Sequence, residues 1–172
     1  IGRCAFSQCS RLSFVTIPDS VVTIGEFAFY GCISLKSITI PGSVKILGKS
    51  VFGKCGLLEI RVVGELQYFE LADGALFSKD KTRLIWYSPE NSGSYEMPET
   101  VKTFDEGVFI GLNKLTSISI PDSVTEIPAG SFCNCLGLES VTLPHSVTSI
   151  GDSTFQACSN LTSICIPTSA TS

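Results

Sequence analysis

Eight cysteines, one histidine and a recurring serine are the residues of this 172-residue chain whose types could do chemistry. Five cysteines, Cys9, Cys32, Cys55, Cys135 and Cys158, fall in one phase, and three of their four intervals are 23 residues. So many cysteines in a small chain invite a disulfide framework or a metal site. Equivalent positions in stacked coils would lie ~4.8 Å apart, close enough to bond. Their Cβ vectors would run parallel, however, against the ~90° torsion that a disulfide needs. A free buried cysteine behaves as a small hydrophobe, so the spacing favours an inert thiol ladder over bridges. Cys133 and Cys135 form a Cys-Asn-Cys pair with no second ligand pair after it, which does not make a zinc site. Cys165 takes an outward phase and is the expected oxidisable thiol.

His145 is the lone histidine and falls in a turn just after a proline, a solvated position. Without a second histidine or a paired base, no serine or cysteine has a partner to activate it. Glu139 and Asp152 are isolated carboxylates on different faces, so a glycosidase pair is unsupported. No glycine-rich loop opens a helix, so a phosphate cradle is absent. The serine column Ser20, Ser43, Ser123 and Ser146, with Thr100 in phase, suits hydroxyls that satisfy backbone groups in a turn. The expectation is a non-enzyme without a cofactor or metal. Asn160 opens an Asn-Leu-Thr sequon, meaningful only in a eukaryotic secretory pathway.

Charge and hydropathy narrow the partners. There are 12 basic and 16 acidic residues, a net charge of -4. Nucleic-acid binding is disfavoured, because phosphate contact needs clustered Lys and Arg. A membrane helix needs ~20 consecutive apolar residues, and no such run exists. Mean hydropathy is +0.34 with 44% hydrophobic residues, which argues against disorder.

The elements that position these residues are repeats. Prolines recur at Pro18, Pro41, Pro98, Pro121, Pro144 and Pro167, at spacings of 23, 57, 23, 23 and 23. Other columns keep the same phase: Val21, Val44, Val101, Val124 and Val147; Phe29, Phe52, Phe109, Phe132 and Phe155; Leu12, Leu35, Leu115, Leu138 and Leu161. In "LTSISIP" (115–121) Ile118 and Ile120 alternate with Ser119, which predicts a short strand ended by Pro121. "GEFAFYGC" (25–32) suggests at most a turn or two of helix. One such unit cannot bury its apolar face, so the units must stack, with parallel strands and continuous core ladders.

The unit "LTSISIPDSVTEIPAGSFCNC" (115–135) resembles a leucine-rich repeat of the BspA-like kind, with Ile-Pro after the strand and Phe followed three residues later by Cys. Copies starting at Leu12, Leu35 and Leu138 match it closely. The resemblance spans essentially the whole chain. It implies one array over 1–172 of about seven units, counting partial ends. The fold it implies is a right-handed horseshoe solenoid with short parallel strands on the concave face and irregular or short helical turns on the convex face. It also implies a surface-exposed or secreted protein used in adhesion.

Outward strand positions include Phe14, Thr16, Thr39, Ser119 and Thr142, a hydroxyl-rich face that would bind through many weak contacts or stand as plain solvated strand. Residues 63–97 interrupt the repeat and carry the single tryptophan. Strands are expected near 75–78, 83–88 and 94–97. Trp86 and Tyr87 have the chemistry of interface anchors; the competing reading is that these rings plug an irregular part of the core. The chain starts and stops inside repeats, which reads as a slice of a longer array and predicts end-to-end self-association through unpaired strand edges. Two roles remain open: a recognition module for a protein or glycan ligand, without membrane insertion, and a structural spacer in a larger surface protein.

Overall fold

Ile-x-Ile alternation places every second residue inside, and stacking then pairs equivalent strands. The computed structural model, which describes residues 1–57 and 59–171, winds as a solenoid of about six turns. The front row holds Ser37–Pro41, Glu59–Val63, Gly93–Glu96, Leu115–Ser119, Ser140–Thr142 and Ser163–Ile164. A second row holds two-residue strands: Thr23–Ile24, Ile46–Leu47, Thr103–Phe104, Glu126–Ile127 and Ser149–Ile150. Within both rows the pairing is parallel, with Ile118 beside Val141 and Ser119 beside Thr142. Ile118 is buried and Ser119 exposed, as the alternation requires.

The return segments are turns, which corrects the expected short helices: no helix occurs among the described residues. The cause is a pair of left-handed residues four apart in each coil. Phe27 and Gly31 have φ of 55° and 73°, Gly130 and Asn134 both 61°, and Ser153 and Ala157 56° and 59°. A helix cannot run through such residues, and here they bend the chain back in two steps. Glycine fills some of these positions, as at Gly130; others hold residues with a Cβ, which costs about 1–2 kcal/mol relative to the right-handed form. Ala157 is exposed, so Ala157→Gly should remove that strain without loss of packing. A melting temperature raised by about 1–4 °C is the expected result in calorimetry.

The interruption is better ordered than its sequence suggests. Glu59–Val63 is a regular front strand, with Ile60 beside Ile38 and Val63 beside Pro41. Its register is offset by 22 residues, not 23, which hides it from the repeat count. After it come Phe69–Ala72, Ala75–Ser78 and Arg83–Tyr87, paired antiparallel in that order. Arg83–Tyr87 then pairs parallel with Thr103–Phe104 and so enters the second row. The expected strands are found, and Phe69–Ala72 is an addition.

This hairpin divides the interior. One core runs from Ile17 to Phe69 and includes Leu76, Ile85 and Trp86; the other includes Ala75, Phe77, Leu84 and Tyr87 and runs on to Val147. The front row is split as well, since Glu59–Val63 and Gly93–Glu96 lie in separate sheets. The phenylalanine column follows the division. Phe6, Phe29 and Phe52 stack in one block, with centroids 5.3 and 6.2 Å apart. Phe109, Phe132 and Phe155 stack in the other, at 5.2 and 5.4 Å.

A buried ion pair joins the blocks. Arg83 Nε and Nη2 donate to the two carboxylate oxygens of Asp105 at 2.8 and 2.7 Å. The same guanidinium donates to the carbonyls of Leu47 and Gly48 at 2.8 and 2.7 Å. Asp105 also accepts the Ser50 backbone N–H at 2.8 Å. In regular turns backbone groups do this work: the Gly48 N–H donates to the Ile24 carbonyl, and the Gly151 N–H to that of Ile127. At the seam a guanidinium and a carboxylate substitute for the backbone of a missing turn. Asp105 stands in the column of Gly25, Gly48 and Gly151, where a Cβ would strike the backbone of the preceding coil, as at 2.6 Å from the Arg3 nitrogen for Gly25. Pro128 is the one other member of the column with a side chain, and Asp105 turns its own into the seam. Burial pushes the Asp105 carboxyl above its ordinary range, while Arg83 and the Ser50 N–H pull it down.

Candidate interaction surface

Thr39, Ser119 and Thr142 point outward from front strands as the alternation requires; Phe14 and Thr16 are corrected, since residues 12–18 form no strand. Thr16, Ser119 and Thr142 are exposed and Thr39 is half-buried. Phe14 is 73% exposed, the most open large apolar side chain of the described residues. The split front row separates them. Thr39 lies beside Arg61, in the same sheet as the Arg61–Glu59 ion pair of 2.8 Å. Ser119 and Thr142 lie side by side in the other sheet, with Glu96 on the far flank of Ser119. Ser119 also borders a cleft of about 370 Å³ at the strand ends, which carries the carboxylates of Glu96, Glu99 and Asp122. The alternation located Ser119; the acidic neighbour Glu96 was not foreseen, because it enters through the interruption.

Trp86 and Tyr87 do not stand on the surface as anchors. They are 7% and 5% exposed. Trp86 packs into the first core, and Tyr87 lies 4.4 Å from Tyr95 and 5.5 Å from Phe109 in the second. Both are corrected as exposed contact residues: successive side chains of one strand fill the two cores on either side of it.

The thiol and hydroxyl columns hold the backbone rather than react. Cys32, Cys55, Cys135 and Cys158 donate to the carbonyls of Phe6, Cys32, Phe109 and Phe132 at 3.1, 3.2, 2.8 and 3.0 Å. Ser43, Ser146 and Ser169 donate to the carbonyls of Val21, Val124 and Val147 at 2.8, 2.7 and 2.6 Å. Ser123 does the same to Val101. All eight cysteines are free. Burial pushes the Cys55 and Cys135 thiols up to about 12 from 9.0. That leaves roughly a thousandfold less thiolate, the reactive form. Cys9 departs from the ladder expectation: it is exposed, with Cys4 and Cys165. A native alkylation time course read by mass spectrometry should label Cys4, Cys9 and Cys165 first. Cys32 and Cys135 should react only on unfolding, and their early labelling would overturn the ladder.

The repeat is matched by a family model. The model for the BspA type leucine-rich repeat region fits six copies, over residues 1–79 and 85–172. The chain belongs to the BspA type leucine-rich repeat family. Similar solved structures include a leucine-rich cell surface protein from Faecalibacterium prausnitzii, 32% identical with a TM-score of 0.87, covering 98% of this chain and 45% of that one. The pneumococcal vaccine antigen PcpA is 32% identical with a TM-score of 0.76, covering 87% of this chain and 38% of that one. A leucine-rich repeat protein from Eubacterium ventriosum, 23% identical with a TM-score of 0.62, shares the fold; the match covers 88% of this chain and 54% of that one. The repeat array thus spans under half the length of the first two. No curated protein matches this sequence.

Proposed function

We propose that this array is a non-catalytic recognition module of a cell-surface or secreted protein, and that it binds a protein or glycan through the front strand face around Ser119 and Thr142. One observation carries the reading. Ser119 and Thr142 present hydroxyls in register, and Ser119 is flanked by Glu96 and borders a cleft with three carboxylates. Hydroxyls and carboxylates in that arrangement suit sugar hydroxyls or basic and amide groups of a protein, and they repel anionic partners. The surface location rests on the family and on the named surface proteins that share the fold. No helix among the described residues is long and apolar enough to cross a membrane.

The test pairs binding with stability. The chain and a Ser119→Arg/Thr142→Arg variant are compared on arrays of extracellular-matrix proteins and glycans. Both positions are exposed, so the melting temperature should stay within about 2 °C. Binding should fall at least tenfold in the variant. Equal binding by the two proteins would move the site off this face. No binding by either would favour the spacer role.

A further inference from the structure

The seam has a second consequence, on the side away from the front strands. Regular turns bring successive phenylalanines within 5.2–6.2 Å and leave no gap. Phe52 and Phe109 belong to different cores, and neither phenylalanine of the inserted strands, Phe69 or Phe77, lines the space between them. A cleft of about 360 Å³ remains. Ile85, Trp86 and Tyr87 of the inserted strand line it, between the turns carrying Phe52 and Val108. Ile33, 59% exposed, lies at its edge. Gly56, one repeat on in the same column, gives the cleft's lining no side chain there.

The lining is apolar with one charge. Among the described residues that line it, Lys54 alone is ionised. Its Nζ lies 5.6 Å from the Tyr30 ring centroid, and Tyr30 and Glu106 beside it favour the ammonium form. The volume is about twice the ~150 Å³ apolar cavity that holds benzene and falls within the range of small-ligand pockets. We propose that this cleft is a binding site for a small monoanionic aromatic acid, with a one- or two-ring body against Trp86 and its carboxylate at Lys54. A dianion is disfavoured, because Glu106 stands close to Lys54 and no arginine lines the cleft. The site is distinct from the strand face, so it stands or falls independently of the recognition role.

The probes are 2-naphthoate and its uncharged counterpart 2-naphthalenemethanol, titrated into the whole chain. Amide shifts by NMR are the readout, with the side-chain N–H of Trp86, the single tryptophan, as an internal reporter. Naphthoate should bind saturably at about 1 mM or tighter, with shifts centred on Gly53, Gly56, Gly107 and the Trp86 indole. The alcohol should bind at the same place about threefold more weakly. Lys54 is exposed, so Lys54→Met should fold normally and bring naphthoate down to the level of the alcohol. Shifts scattered over the strand face, no saturable shift, or equal affinity for both probes would overturn the proposal.

Discussion

Asp105→Ala is expected to cost about 3–5 kcal/mol, because it leaves the Arg83 guanidinium partly buried without its counter-charge. Domains have only about 5–15 kcal/mol in all, so much of the stability should go. Asp105 has 5% of its side chain exposed and Arg83 24%, so solvent cannot replace the lost carboxylate. The Ser50 N–H loses its acceptor at the same time. Arg83→Ala should be equally severe, since four donated bonds disappear and two backbone carbonyls of the first block are orphaned. Removing both charges is a different change. The net effect of burial on Asp105 is upward despite its pairing, so desolvation offsets much of the attraction. Arg83→Met with Asp105→Leu should therefore recover at least half of the single-variant loss in urea unfolding. If Asp105→Ala stays within about 1 kcal/mol of the parent, the pair does not hold the seam. A single variant that melts in two steps would show that the two cores can separate.

Phe132→Ala is the second large effect, about 3–5 kcal/mol. Its ring is fully buried and stacked between Phe109 at 5.2 Å and Phe155 at 5.4 Å, with interplanar angles of 14° and 4°. Packed turns on both sides prevent the cavity from collapsing, so the transfer loss and the cavity loss add. Phe155 belongs to the same column but is only half-buried. Phe155→Ala should cost roughly half as much by the same physics. Chemical denaturation of the two variants side by side makes the comparison. Equal losses would mean that the column contributes through local turn structure rather than through the stack.

The repeat columns determined most of this molecule before any coordinates. A proline spaced by 23 residues in four of five intervals, with Val, Phe, Cys and Leu in fixed phase, forces stacked turns, because one unit cannot bury its own apolar face. The same phase put Phe132 in the core, turned the serine hydroxyls onto the backbone, and set Ser119 and Thr142 outward. Tertiary structure decided what has no period. Left-handed positions such as Phe27 and Ala157 carry no residue signature, so the sequence left room for short helices that the backbone excludes. Cys9 kept the ladder's phase yet is exposed, and exposure is a property of the stack. The 57-residue proline gap and Asp105 in a mostly glycine column were the visible traces of the seam. The partner of Asp105 lies 22 residues away, inside a segment whose phase the inserted hairpin had reset. Trp86 and Tyr87 could be anchors or plugs by type alone. The hairpin buried most of both, because their strand stands between two cores.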